Sequence, residues 1–503
     1  MGRNQRITIY FLALAVGMII VDSTIVNVAM PTIIKKLGIS SGQAQWVQEI
    51  YTLIFASTLL IFGRMADRLG RRKIFIIGNF FFGVFSLVAA LAQSAEILIL
   101  ARALQGIGAA MILPSSLSII NTTFSGASRK KALAVWGAVI GGSAAIGPFI
   151  GGYLVTSFTW RWAFGLNIPV VLIILIGAIS SFDKSKAVTN ERFDVLGSAL
   201  ALLTFSSMVF VLIEGRNYGW TSGIILSGTA LSIFSFSLFL FLEKYRSAHF
   251  MTTYVDLEIW NIRSFRTAVS TSLIVSLGEY GLLFLLPYWL QNVLGYSGFK
   301  TGSLFLILAL GSFLASGAAR RAFRNRSAIE ILQIGITLEV VGVALLGLII
   351  SPTTNILLII SALFIYGVGI GLATTQVTSI ALQDVPTEKS GQASGISSTM
   401  RQIGFGMGIA VLGSLLFGLM GRDFSARLNR QGQLAQIDHS ALVHQVVTSA
   451  GTVIPKLHGE VAQAAIGALT SASKWSSLAA TVFLILGWLA VNKLRKTSKR
   501  VKK

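Results

Sequence analysis

Apolar runs of roughly twenty residues recur along almost the whole chain, and most of the charge falls in the short stretches between them. No other feature narrows the fold as much. A bilayer core about 30 Å thick is crossed by roughly 20 residues of helix, and in hydrocarbon each span must satisfy its own backbone N–H and C=O groups. The runs predict helical spans near 7–34, 46–63, 74–93, 97–121, 131–156, 162–182, 195–214, 222–242, 265–292, 301–319, 329–350, 355–381, 391–418 and 475–492. Fourteen spans return both termini to one side. The first run lacks a small-residue cleavage site and continues into a patterned segment, so it reads as a span and not as a removable signal.

Composition agrees with an all-α integral membrane protein. The chain is 54% hydrophobic and 12% charged, with mean hydropathy +0.75, and a soluble domain carries about twice that share of charge. A soluble enzyme is excluded. The net charge of +22 would attract phosphate if it formed one patch. It is instead distributed over loops between spans, so no nucleic acid partner is expected. The absence of cysteine excludes disulfides, thiol catalysis and thiolate metal sites. Three of the four histidines, His439, His444 and His458, fall in one long loop at 420–473, and His249 is also outside the spans. None forms an i, i+4 pair, and no metal is expected.

Basic loops stay cytoplasmic. Of the 41 Lys and Arg, 29 fall on the side that holds the termini and ten on the other, while Arg102 and Arg401 lie inside spans. The bias puts both termini in the cytoplasm. The tail 493–503 is a basic segment suited to anionic lipid head groups.

Several short motifs stand out against this background. After the second span comes Gly63-Arg-Met-Ala-Asp67-Arg68-Leu-Gly70-Arg71-Arg72-Lys73, where an acid sits among bases and glycine allows a tight turn. Span one carries Asp22-Ser-Thr-Ile-Val-Asn27-Val-Ala-Met-Pro31, and span four carries Arg102-Ala-Leu-Gln105-Gly106-Ile-Gly108. Span five holds Gly142 and Gly147-Pro148-Phe-Ile-Gly151-Gly152; further on are Trp160-Arg-Trp-Ala-Phe164, Asn167 and Arg401-Gln402-Ile-Gly404. Together these resemble the major facilitator superfamily, in particular its fourteen-helix drug:proton antiporters, over essentially the whole chain.

The resemblance implies two six-helix bundles, 1–182 and 251–492, flanking an inserted helix pair at 183–250. It implies that Asp67, Arg68 and Arg72, with Gly63 and Gly70, form a cytoplasmic charge latch. It gives Arg102 a place in a proton-relay motif, and Gly147, Pro148, Gly151 and Gly152 a role in exporters. Two departures are visible. The matching loop of the second half, around Gly317, Arg320, Arg321 and Arg324, has lost its acid. Glu49 and Gln48 follow Trp46 where relatives usually carry small or apolar residues, which points to a substrate preference. Span five also has a plainer reading, because Gly137 and Gly141, then Gly147 and Gly151, are four apart and form small faces for close helix approach. The glycine strings at 367–371 and 404–408 lie inside apolar spans with no strand before them, so they read as packing and not as a nucleotide loop.

The ionisable residues left within spans are Asp22, Arg102, Glu279, Glu339 and Arg401, with Glu49 near an outer end. A charge at mid-membrane costs about 2.5–3.5 kcal/mol on insertion scales, so such residues face a cavity, pair, or titrate. A carboxylate that holds either a proton or an organic cation couples the two flows. On this reading Asp22, Glu279, Glu339 and Glu49 are candidates for proton or substrate binding, with Arg102 tuning the acid chemistry. Each has a structural alternative: a hydrogen-bonded acid ordering span one for Asp22, a polar pair for Glu279, an ion pair or peripheral position for Glu339. Arg401 and Gln402 read as structural. Asn27, Tyr51, Trp136, Tyr280, Trp289 and Tyr366 either line a cavity or pack.

The expected function is proton-driven export of small hydrophobic, cationic organic compounds by alternating access, from a bacterial cytoplasmic membrane. The chain would act as a monomer, alone or with accessory efflux proteins, and needs no cofactor beyond the proton gradient. Export of a metabolite, siderophore or lipid on the same fold is the alternative. A membrane-embedded enzyme would need a nucleophile–base or metal constellation, which spans without Cys or His do not offer.

Overall fold

The computed structural model describes residues 3–182, 194–249, 253, 257–323, 325–386, 389–430 and 439–501. The first half contains α1 (Arg3–Leu37), α2 (Ser41–Leu69), α3 (Arg71–Leu91), α4 (Ala95–Thr123), α5 (Gly126–Ser157), α6 (Trp162–Gly165) and α7 (Asn167–Ser181). A pair follows, α8 (Val195–Tyr218) and α9 (Gly223–Ala248). The second half contains α10 (Leu257–Asn261), α11 (Arg263–Asn292), α12 (Gly298–Ala322), α13 (Ala328–Ile349), α14 (Ile356–Leu382), α15 (Ser390–Arg430), α16 (His439–Thr448) and α17 (Gly459–Val501). The boundaries expected near 183 and 251 fall on residues outside those described.

Local sequence explains where the helices start and stop. Ser40 and Gln43 form a capping box at α2, and Ser327 and Glu330 form another at α13; each pairs orphan N–H groups of the first turn. Gly70 takes φ +101° between α2 and α3, a conformation that favours glycine. In α5 the axis bends by 42° between Ala144 and Ile146. The proline ring of Pro148 crowds the carbonyl four residues back, at Ala144.

Twelve helices among the described residues are long and apolar enough to cross a membrane, and bent α5 makes thirteen. Helix α2 has the length, 29 residues, but its first turns carry Gln43, Gln45, Gln48 and Glu49 and it is not among the twelve. Large apolar side chains are exposed around the outside, among them Phe80, Leu100, Ile176, Phe234, Phe241 and Leu357. A soluble protein buries such a belt; a bilayer solvates it.

The segment at 420–473, expected as an external loop with room for short helices, is largely helical among its described residues. Helix α15 runs on to Arg430, α16 and a 3-10 turn at Ile454–Lys456 follow, and α17 starts at Gly459, sixteen residues before the expected span. The reason is amphipathicity. Met420, Phe424, Leu428, Val446, Ala465 and Leu469 are all buried, so these extensions pack on one another beyond the bilayer.

Contacts fix the direction of the helices. Val275 of α11 packs on Gly487 of α17, Gln333 of α13 donates to Asn492, and Gln291 at the far end of α11 donates to the Val28 carbonyl of α1. The start of α1 and the end of α17 therefore share a face. The halves are joined mainly at the opposite face. There Gly152 of α5 meets Gly298 of α12, Gly302 meets the Pro148 carbonyl, and Phe299 N–H donates to Thr156 Oγ1 at 2.9 Å. Towards the termini the two helices splay, and an added Cβ at Gly137, Gly142 or Gly317 would meet nothing within 4 Å.

Candidate functional site

Asp22 is wholly buried in α1. Its Oδ2 accepts from Arg102 Nη1 at 2.5 Å, and its Oδ1 accepts from Asn167 Nδ2 at 2.7 Å and Gln105 Nε2 at 3.4 Å. Arg102 also donates to Gln105 Oε1 at 3.0 Å and to the Val47 carbonyl at 3.3 Å, and its guanidinium lies 4.1 Å from the centroid of the Tyr51 ring. Ser86 Oγ accepts from Gln105 at 2.7 Å and from Asn167 at 3.2 Å. A buried charge pair is tolerated when its remaining donors and lone pairs are filled, and this one is filled from α1, α2, α3, α4 and α7. Asp22 does not open onto water in this conformation, because a guanidinium and two amides enclose it. Sequence reasoning marked Asp22 and Arg102 separately and missed Ser86, a small hydroxyl in an apolar helix with no motif around it.

A second cluster sits in the C-terminal half. Glu279 of α11 and Glu339 of α13 are both buried and within Coulombic reach of each other, and Arg401 of α15 is within reach of Glu279. Neither carboxylate oxygen of Glu339 has a hydrogen-bond partner. It is neither peripheral nor ion-paired, contrary to both structural alternatives. Helix α14 allows the cluster to form. A Cβ at Gly369 would stand 2.7 Å from Glu339 Cγ, and one at Gly342 would stand 2.6 Å from Tyr366 N. Tyr366 then donates to the Glu279 carbonyl at 3.3 Å. Arg401 and Tyr280 are half-buried, and the Tyr280 ring stacks on Phe405 at 3.7 Å.

The other candidates separate. Tyr51, Trp289 and Tyr366 are buried, so here they pack and do not line an open cavity. Trp136 Nε1 donates to Ser116 Oγ at 3.1 Å between α5 and α4. Asn27 is buried with its Oδ1 unpartnered. Glu49 is buried between α2 and α15 beside Gln402 and Gly406. In the expected latch the side chain of Asp67 lies outside the described residues. Arg72 donates to the Ile179 carbonyl at 2.6 Å within its own half, while Arg64 reaches the Thr253 carbonyl at 2.7 Å, ahead of the second half.

The glycines divide as well. Gly147 and Gly151 seat α5 against Thr24 and Ile25 of α1, and Gly152 seats it against α12. Gly137 makes no close approach, and Gly141, the other half of the face expected there, lies outside the described residues. Gly367 and Gly371 face the Leu308 and Ser312 carbonyls, and Gly404 and Gly408 face those of Leu273 and Leu277. Both strings are packing surfaces. Among the described residues no group of three His, Cys, Asp or Glu is placed to hold a metal.

Residues 12–409 match the Major Facilitator Superfamily. The chain is 32% identical over 469 residues to the multidrug resistance protein Stp of Mycobacterium tuberculosis, covering 92% of this chain and 86% of that one. It is 30% identical over 441 residues to a probable actinorhodin transporter of Streptomyces coelicolor, covering 84% and 74%. A bacterial homolog of the human lysosomal transporter Spinster, solved inward-facing and unoccupied, superposes with a TM-score of 0.64 over 99% of this chain and 98% of that one, at 15% identity. Apolar helices that enclose buried charge clusters, and a sequence match over most of the length, make this multi-pass membrane protein a member of the major facilitator superfamily of transporters.

Proposed function

We propose that the protein is a proton-coupled exporter of small hydrophobic organic compounds, cationic ones among them, working by alternating access. The observation that carries this reading is the C-terminal cluster, where two buried carboxyls lie near each other and the Arg401 guanidinium lies near one of them, Glu279. Arg401 balances one of them. The other is left for a proton or for a cation, and exchange of the two is antiport. Asp22 and Arg102 serve differently on this reading. Their pair ties α1 to α4, and it modulates coupling by resisting or permitting movement between those helices.

Fourteen spans, with α2 and α5 completing the set, and the excess of basic residues on the termini side orient both ends to the cytoplasm. The described state is then closed outside and splayed inside. A bacterial cytoplasmic membrane and a monomeric unit fit the same reading. Similarity to a protein named for multidrug resistance supports drug efflux, and similarity to one named as a probable actinorhodin transporter favours, as a second reading, export of a metabolite.

The test is transport in proteoliposomes under an imposed pH gradient, with a fluorescent cationic dye as substrate. Wild type should move dye against the gradient. Glu279→Gln should lose proton-driven accumulation by about tenfold or more, as expected when a buried charge is removed, while still exchanging dye down its own gradient. Unchanged proton coupling in Glu279→Gln and in Glu339→Gln would refute the assignment.

A further inference from the structure

On the face opposite the termini, the turn from α1 to α2 and the helical cap of the second half border a cleft of about 430 Å³. Its lining includes Lys35, Gln43, His444, Gln445, Thr452 and Lys456. Lys35 lies in the last turn of α1 and Lys456 ends the 3-10 turn, so each half brings a lysine to it. Neither lysine nor His444 has a side-chain partner among the described residues. No Asp or Glu is among the described residues that line the cleft. Glu96 of α4 accepts from Gln43 Nε2 at 3.2 Å but is not part of the lining. Thr452 is only 7% exposed, and its side chain makes no hydrogen bond. The hydroxyls of Thr448 and Ser449 are instead turned back to the His444 and Val446 carbonyls, at 2.7 and 3.0 Å.

Like charges on the two sides of a closed face repel, and a buried hydroxyl without a partner leaves a hydrogen bond unmade. One anion corrects both. A phosphate ester carries about one to two negative charges near neutrality and several acceptor oxygens, which lysines meet as point charges. A hard cation would find no carboxylate here, and an apolar guest would strand both lysines. The volume falls in the range of small-molecule sites, so the guest is larger than inorganic phosphate. We propose that this cleft binds a glycerol-phosphate group, either as the free ester or as the head group of an anionic lipid in the leaflet on that side. The phosphate lies between Lys35 and Lys456, with Thr452 and Gln445 donating to its oxygens. Held from both halves, the anion turns a repulsion into a bridge and keeps this face shut. The site lies apart from the carboxyls within the spans and does not depend on the exporter reading.

The test uses the full chain in a neutral detergent. It is titrated with radiolabelled glycerol 3-phosphate, and separately with a fluorescent short-chain phosphatidylglycerol and its phosphatidylcholine counterpart. Binding of glycerol 3-phosphate supports the site and makes the free ester its guest. Binding of phosphatidylglycerol alone, in preference to phosphatidylcholine, supports it with lipid as the source. Lys35→Gln and Lys456→Gln should each raise the Kd of the bound probe by about fivefold or more, while Lys36→Gln, next in sequence but outside the cleft, stays within about twofold. Thr452→Val, which leaves the net charge alone, should weaken the probe by about threefold or more. The bridge is read with a cysteine at Thr301 in a Gly152→Val background, where the close approach of α5 and α12 is disturbed. There the probe should slow thiol labelling by about threefold or more, and Lys456→Gln should abolish that protection. Three results overturn the proposal: no selective binding of either phosphate ester by wild type, an equal loss in Lys36→Gln and Lys35→Gln, or labelling that the bound probe leaves unchanged. None of them touches proton coupling, so the exporter reading stands or falls separately.

Discussion

Replacing Arg102 with alanine leaves Asp22 buried with two amides and no counter-charge. Breaking one side of a buried pair typically costs about 3–5 kcal/mol, so Arg102→Ala should lower the thermal unfolding midpoint in detergent sharply. Asp22→Asn should cost less, because an amide oxygen still accepts from Arg102. In Asp22→Asn combined with Arg102→Gln the two effects should fall well short of their sum, since both act on one network. Additive losses would show that the pair carries no coupling. The residues of this network were legible one at a time: a charge in hydrocarbon must be justified, so Asp22 and Arg102 stood out. Gln105 and Asn167 stood out only as motif members, and Ser86 gave no signal. Their convergence needs four further helices, which is information no single span contains.

At the scale of elements, α8 is anchored at its start by Asp194, which caps it through the Gly197 N–H at 2.7 Å and pairs with Arg246 of α9. Burial pushes the Asp194 carboxyl up, but hydrogen bonds from Arg246 and Gly197 outweigh it and hold the group below the ordinary aspartate range. A carboxyl depressed in the folded state contributes stability above its unfolded pKa of about 3.9, and that contribution is lost as pH falls through the folded value. Asp194→Asn should therefore cost about 1.5–3 kcal/mol near neutrality, and the gap to wild type should close below about pH 4. A gap independent of pH would mean that the charge plays no part. The helices α8 and α9 themselves were visible as two apolar runs. The seat of α8 across α2 and α15 was not, because that seat depends on Trp46, Glu214 and Ser414, residues scattered through three separate segments.

For the whole molecule, the close approach of α5 and α12 closes one face. A Cβ at Gly152 would stand 2.2 Å from the Gly298 carbonyl, so Gly152→Val should pry that face open. The chain has no cysteine, so single cysteines report without background. Thr301→Cys, buried beside Gly302 at the start of α12, should be protected from a membrane-impermeant thiol reagent in wild type and labelled in the Gly152→Val background. Labelling equal in both would place the closure elsewhere. The same method tests orientation. In intact cells a cysteine at Lys35 should react from outside, and one at Lys244 only after permeabilisation; the reverse pattern inverts the topology.

Hydrophobic length alone determined that this chain crosses a membrane many times as helices, because hydrocarbon forbids any backbone group without a partner. Motif spacing then pointed to the family, and the strings at 367–371 and 404–408 were legible as packing. Tertiary structure decided which buried charges meet. Asp22 could have faced water and instead faces Arg102; Glu339 could have been peripheral and instead lies near Glu279 with empty lone pairs. It also turned an expected loop at 420–473 into helices, since their apolar stripes find partners only in one another. The physical reason is common to all three. A span is specified by its own residues, whereas a charge inside it takes its meaning from neighbours that other spans bring alongside.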